Sequence, residues 1–189
     1  MQRAVRGLGI FLVVGAIGGC GSGGVVKSGR LTKPVEGYVC CNMWFNGRGQ
    51  ASDANYRILG GKRIQAGTPV KAAIQDFSLV FHSPERERFS VRLRHGKERL
   101  TLAEYARLLI VPADPTASIS PGLREALRSG KLAIGMTKEE AVMVRGYPPF
   151  HRTAGLESNE WLYYESPGST QLVRFTDGRI TEIEAGAAP

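Results

Sequence analysis

Short apolar runs separated by turn residues fill the first half of the chain. The run that begins at Ser90 alternates strictly, which places Val91 and Leu93 on a buried face. Arg92 and Arg94 then point towards solvent. The predicted strands are Tyr38–Asn42, Tyr56–Leu59, Pro69–Ile74, Ser78–His82 and Phe89–Leu93. With one helix after them, they predict a small β-rich domain over residues 35–117.

Helix start and stop signals are sharper than the strand signals. Thr101 and Thr137 are each followed three residues later by a glutamate, which is the capping-box pattern. Ser120 before Pro121 is a third N-terminal cap, and Gly130 is placed to end that helix. The first predicted helix begins after Thr101 and ends near Leu109. The second runs from Pro121 to about Ser129, and the third from Lys138 to about Arg145.

Three further strands are predicted near the C-terminus, before a short tail over residues 185–189. Asp177-Gly178 is a strong signal for a hairpin between the last two. The predicted strands are Glu160–Glu165, Gln171–Thr176 and Arg179–Glu184. The fold class expected from these patterns is α+β, with the β-rich domain followed by an αα-βββ two-layer domain over residues 118–184.

The chain begins with a pattern typical of an export signal. Arg3 and Arg6 precede the apolar run Leu8–Ile17. As a helix this run would rise about 15 Å, roughly half the hydrocarbon core of a bilayer, so we interpret it as a cleaved signal. Ile17-Gly18-Gly19-Cys20 resembles the bacterial lipobox, which makes residues 1–19 a lipoprotein signal peptide. The weaker alternative is an ordinary secretory signal with an incidental cysteine.

Lipidation of Cys20 would leave residues 20–34 as a tether, beginning with a Gly/Ser-rich segment. An Asp directly after the lipidated cysteine would resemble an inner-membrane retention signal, but this position is Gly21. The pattern therefore predicts an outer-membrane lipoprotein that carries palmitate and faces the periplasm. The several acyl chains of such a protein are sufficient for stable anchoring.

Net charge is uneven along the chain. The full sequence carries +8, and removal of the signal with Arg3 and Arg6 would leave +6. Residues 20–117 carry +7 and residues 118–189 carry −1. The basic character therefore belongs to the first half and favours an anionic partner for that half alone.

Cys40 and Cys41 are the cysteines left besides the lipidated one. Neighbours on a strand point to opposite faces, so the pattern predicts one buried thiol and one exposed or intermolecular thiol. A bridge between them is not expected.

Four motifs in the second half occur in order, and together they resemble one family. They are Gly135-Met136-Thr137-Lys138-Glu139-Glu140, Gly146-Tyr147-Pro148-Pro149, Glu160-Trp161-Leu162-Tyr163-Tyr164 and Phe175-Thr176-Asp177-Gly178-Arg179-Ile180. This pattern resembles the SmpA/OmlA (BamE-like) domain over about residues 130–184. The resemblance implies a lipoprotein of the outer-membrane β-barrel assembly machinery, with a two-layer BamE-like fold.

No catalytic, cofactor or metal motif is recognised in the sequence. His82, His95 and His151 lack a second ligand at metal-binding spacing. Nucleophile-elbow, phosphate-loop and paired C-x-x-C patterns are likewise absent from the sequence. We therefore expect a protein that is not an enzyme and has no cofactor.

The densest basic run lies at the end of the β-rich domain. Its members are Arg86, Arg88, Arg92, Arg94, Lys97 and Arg99. A solvated strand face is the simpler interpretation, because three glutamates are interspersed. The sharper hypothesis is a patch for anionic lipid, lipopolysaccharide or peptidoglycan. Nucleic acid is not expected, because the chain is predicted to be exported and the run lacks stacking aromatics.

These patterns predict a non-catalytic scaffold for envelope proteins, barrel-assembly components among them. It would contribute to outer-membrane protein assembly or to envelope integrity. Exposed strand edges and the loop with Tyr147, Phe150 and His151 are the expected partner contacts. The alternatives are a periplasmic inhibitor or ligand-binding module and, more remotely, an envelope enzyme.

Overall fold

Two larger sheets, a two-stranded ribbon and three helices make up the part of the chain that the computed structural model describes, residues 34–57 and 60–187. Cys20 and the whole predicted signal lie outside these residues. The architecture is α+β, as the sequence predicts. None of the helices in the described part is long and apolar enough to cross a membrane.

The first half is built on a six-stranded sheet with strand order β3-β7-β6-β5-β1-β8. Its strands are β1 (Val35–Val39), β3 (Gln50–Ser52), β5 (Pro69–Gln75), β6 (Ser78–His82), β7 (Arg88–Arg92) and β8 (Ile110–Val111). β3 runs parallel to β7, and every other neighbouring pair is antiparallel. The separate ribbon pairs β2 (Met43–Phe45) with β4 (Lys62–Ile64).

One face of this sheet forms the first core. Phe45, Phe81 and Phe89 contact one another there, with ring centroids 4.7–5.9 Å apart. Helix α1 (Leu102–Leu109) covers the same face and buries Tyr105 in this core. Alternate residues of the strands point the other way. We call that side of the sheet the outer face.

The second half places two helices against a three-stranded antiparallel sheet. Helices α2 (Pro121–Ser129) and α3 (Lys138–Arg145) precede β9 (Glu160–Ser166), β10 (Ser169–Thr176) and β11 (Arg179–Ala187). Trp161 and Tyr163 project from β9 into a core that includes Ala141 of α3. Short-range signals predict the helices accurately, because each helix has its own caps. β10 begins two residues earlier than predicted, and β11 continues to Ala187, so residues 185–187 belong to a strand and not to the predicted tail.

All three predicted caps are confirmed. Thr101 and Glu104 form a reciprocal capping box, and Thr137 and Glu140 form another. The hydroxyl of Ser120 accepts a hydrogen bond from a backbone N–H of α2. These contacts satisfy N–H groups that have no partner within their own helices.

Several strand predictions in the first half need correction. β1 ends at Val39 rather than Asn42, because the backbone bends there and leaves the sheet. Tyr56 and Arg57 are not in a strand, and the rest of that predicted strand lies outside the described residues. Strands β2, β3, β4 and β8 were not predicted. They have two or three residues each, too few to show a hydrophobic period.

The cysteine prediction is wrong. Cys40 and Cys41 form a disulfide with each other, and both are buried. Strand alternation does not apply to them, because they lie in the bend after β1. The pair packs within the first core.

The two halves meet at a buried asparagine. Asn42 has no exposed surface, and its side-chain nitrogen donates to the carbonyl of Leu127 at 2.8 Å and of Val144 at 3.0 Å. Its backbone N–H donates to the carbonyl of Met143 at 2.9 Å. The last carbonyls of a helix have no partner within the helix. Asn42 thus supplies donors to the C-terminal ends of α2 and α3 together.

A second asparagine completes this joint. The side-chain nitrogen of Asn55 donates to the carbonyl of Arg145 at 2.8 Å. Gly146 follows with a φ of 81°, and a Cβ there would collide with the Asn55 side chain. The guanidinium of Arg145, which is 1% exposed, lies 4.8 Å from the ring centroid of Trp44. Its Nη2 donates to the carboxylate of Glu165 at 3.0 Å.

We predict that Asn42→Asp destabilises the protein. The carboxylate cannot donate, so two buried carbonyls lose their partner, which costs about 3 kcal/mol. Urea unfolding followed by circular dichroism measures the change.

Asn46→Asp is the matched control. The side-chain oxygen of Asn46 accepts from the backbone N–H groups of Arg48 and Gln50, and a carboxylate retains both bonds. We expect a change within about 0.5 kcal/mol. Equal unfolding midpoints for the two variants would contradict the assigned role of Asn42.

Candidate functional site

The outer face of the six-stranded sheet carries most of the exposed basic side chains of the strands. Lys71 on β5, His82 on β6, and Arg88 and Arg92 on β7 all lie there and are exposed. Lys71 is paired with Glu36 at 2.8 Å. Positive charge is therefore concentrated towards β7 and β3.

A polar cleft of about 220 Å³ lies on this part of the outer face. Arg88, Arg92 and Arg94 line it, together with the hydroxyl residues Ser78 and Ser90. Nε of Arg92 donates to Oγ of Ser78 at 3.4 Å, which orients the guanidinium over the cleft. Convergent guanidinium and hydroxyl donors suit a phosphate or carboxylate ligand. We call this the basic cleft.

The other members of the predicted basic run lie elsewhere. Arg86 is in the turn after β6 and lines a different groove. Lys97 is exposed in a turn that follows β7. Nη1 of Arg99 donates to the carbonyls of Thr153 and Ala154 at 3.0 and 2.9 Å, so it joins the two halves. The structure thus brings three of the six residues together.

Asp53 positions one wall of the basic cleft and was missed in the sequence. It is 1% exposed, and its carboxylate accepts from the backbone N–H groups of Arg94, His95 and Gly96. These bonds hold the chain after β7 in a fixed turn. An aspartate that binds backbone about forty residues away has no local sequence signal.

His95 and His151 belong to a row of aromatic side chains between the two halves. The rings of His95 and His151 stack with centroids 4.5 Å apart, and His151 lies 6.1 Å from Tyr164. Tyr164 in turn contacts Tyr56 at 5.1 Å. His82 lies apart, at the exposed end of β6. Among the described residues, no three His, Cys, Asp or Glu side chains are grouped to hold a metal ion.

The predicted partner loop is largely engaged within the chain. Tyr147 and Phe150 are half-buried and pack against the first core, where Phe150 contacts Tyr105. Burial raises the pKa of Tyr147. His151 is the exposed member of the three. Partner contact by this loop stays a prediction.

A groove of about 380 Å³ runs beside this loop. Its lining combines apolar and charged residues: Cys40, Lys138, Glu139, Val142, Met143, Tyr147, Leu156, Glu157 and Trp161. Nζ of Lys138 lies 5.8 Å from the ring centroid of Trp161 and donates to the carbonyl of Glu157.

The edge strands of the second sheet are β9 and β11, and β11 is the more exposed of the two. The first residues of β11 are covered, since Ile180 exchanges backbone hydrogen bonds with Gly135 and Met136. From Thr181 to Ala187 most residues are exposed, and no described strand pairs with this outer edge. On the adjoining surface Arg174 of β10 binds three glutamates, which raise its pKa.

Comparison with known proteins gives no relative. No protein-family profile, curated protein or solved structure matches the chain. The resemblance of residues 130–184 to the SmpA/OmlA family stays a prediction from the sequence motifs.

We predict that His151 titrates below its ordinary pKa of about 6.5. Burial, then the neighbouring His95 and Arg152, lower the pKa of His151, and Asp53 opposes them. His95→Gln removes one of the causes that lower the pKa of His151 and should raise that pKa towards the ordinary value. NMR titration of the ring protons measures both.

The lowered pKa of His151 determines whether folding stability rises or falls with pH. The unfolded chain protonates His151 first, so folding stability falls as the pH drops from about 6.5 through the lower folded-state pKa. His151→Gln should therefore lose less stability between about pH 7 and pH 5 than the parent chain. A His151 pKa at or above the ordinary value would contradict the account.

Proposed function

We propose that this chain is a non-catalytic lipoprotein of the outer membrane, anchored through Cys20 and facing the periplasm. The signal-like run ending in Ile17-Gly18-Gly19-Cys20 supports the anchor. The order of α2, α3 and β9–β11, together with the four sequence motifs, supports a BamE-like fold for the second half. We propose that it acts as a scaffold for outer-membrane protein assembly or envelope integrity.

The observation that carries the scaffold role is the free edge of β11. An unpaired strand edge presents a row of N–H and C=O groups to another extended chain. Here that edge runs from Thr181 to Ala187 and belongs to a three-stranded antiparallel meander. A partner segment adding as a fourth strand would bind through main-chain hydrogen bonds.

A ligand-binding module is the second candidate, and the groove beside α3 favours it. Apolar contacts from Trp161, Tyr147 and Met143 lie next to the charges of Lys138 and Glu139. Such a lining suits an amphiphilic ligand of modest size.

Photo-crosslinking tests the scaffold role. A benzoylphenylalanine at Ala185, exposed on β11, should give covalent adducts with envelope proteins in intact cells. The matched control is the same probe at Arg124, exposed on α2. Adducts with barrel-assembly subunits at Ala185 alone support the proposal. Equal yields at both positions, or none, would overturn binding at the β11 edge.

Metabolic labelling tests the anchor separately. We expect radioactive palmitate in the parent chain and none in Cys20→Ala, because thioether and amide acylation both need that residue. Release of Cys20→Ala from the membrane fraction should accompany the loss of label. Persistent label in this variant would remove the anchor from the proposal.

A further inference from the structure

Phe77 is the most exposed large apolar residue in the described chain. It is 92% exposed, at the tip of the two-residue turn that joins β5 to β6. Both turn residues have positive φ, 45° at Asp76 and 58° at Phe77. This turn geometry favours Asn and Gly, and a bulky residue in it is strained. The strained backbone at Phe77 therefore costs folding free energy, and its exposed ring gains no burial within the fold that would offset this cost.

The basic cleft begins beside this exposed ring. Asp76 and Ser78, the two neighbours of Phe77 in the chain, both line the cleft. An exposed aromatic ring beside a guanidinium cluster matches the two parts of a bilayer surface, the apolar acyl chains and the charged phosphates. In general, an aromatic ring inserts among acyl chains near the headgroups, and guanidinium groups bind lipid phosphates.

Strand directions place the start of β1, which the predicted tether precedes in the chain, at the same end of the sheet. Val35 pairs with Ala72, and β1 runs antiparallel to β5, so the chain enters β1 from the side of the Asp76–Phe77 turn. β7 is antiparallel to β6, with Val91 opposite Leu79, so Arg92 and Arg94 also lie at this end. Fourteen residues lead from Cys20 to Pro34, and this segment can span at most about 50 Å.

We propose that this end of the first half docks on a membrane surface rich in anionic lipid. Phe77 enters the interface, and the guanidinium groups of Arg92 and Arg94, with Arg88 deeper in the cleft, bind lipid phosphates. The proposal rests on the proposed anchor, because a tether of at most about 50 Å that joins the fold at Pro34 keeps this end within reach of the bilayer. It assigns three of the fifteen basic residues in residues 20–117 to one contact.

Fluorescence of Phe77→Trp in the full lipidated chain tests the docking. The chain is reconstituted in vesicles of phosphatidylglycerol and phosphatidylcholine in equal parts, with the phosphatidylcholine brominated as quencher. Trp44 and Trp161 are buried, and the parent chain supplies their background. We expect the emission of the introduced indole to shift to shorter wavelength and to be strongly quenched. Pure phosphatidylcholine vesicles should give much weaker quenching, although the anchor holds the protein there too.

Charge variants sharpen the test. Arg92→Gln with Arg94→Gln should weaken docking about 25-fold, since each basic residue near an anionic surface contributes about fivefold. Arg124→Gln with Lys131→Gln removes the same charge from exposed positions in the second half and should leave docking unchanged. A probe at Ile134→Trp, where the parent residue is 62% exposed, should not be quenched.

Opposite outcomes overturn the proposal. Equal quenching of the introduced indole in anionic and neutral vesicles would exclude recognition of lipid charge, and absence of quenching would exclude insertion. A shift caused by inorganic phosphate alone would assign the basic cleft to a soluble phosphate instead. Palmitate labelling without quenching overturns the docking only, whereas quenching without labelling supports the docking and overturns the anchor.

Discussion

The amide of Asn42 is the contact on which the arrangement of the two halves depends. It lies in the bend after β1 and supplies donors to the ends of two helices that are more than eighty residues away in the chain. Carbonyl groups at a buried helix end are costly without partners, so this position has few tolerable substitutes. Asn55 and the stacked guanidinium of Arg145 extend the same joint.

This joint determines where the candidate surfaces lie. Because the helix ends are fixed to the bend after β1, the first sheet and the β9–β11 sheet keep one relative position. The basic cleft with Phe77 belongs to the first sheet, and the free edge of β11 belongs to the second. In the proposed function, one surface faces the membrane while the other remains available to a protein partner.

The three helices and the order of the β9–β11 strands could be predicted from local sequence signals. The capping boxes at Thr101 and Thr137 lie within four residues of the backbone groups that they bind, so the sequence shows them directly. Asp53 and the His95–His151 stack depend on contacts forty or more residues apart, which no local pattern encodes. The disulfide of Cys40 and Cys41 was not predicted, because the pattern indicated a strand through Asn42 whereas the strand ends at Val39 and the chain bends at Cys41.

Native-state hydrogen exchange in rising urea tests the central claim, that the halves form one cooperative body. The amides compared are those of Leu79 and Phe81 in β6 and of Val173 and Phe175 in β10, all buried. We predict that both groups exchange with the same free energy of unfolding and the same urea dependence. Exchange of the β10 amides through a separate opening of lower free energy, with β6 still protected, would contradict it.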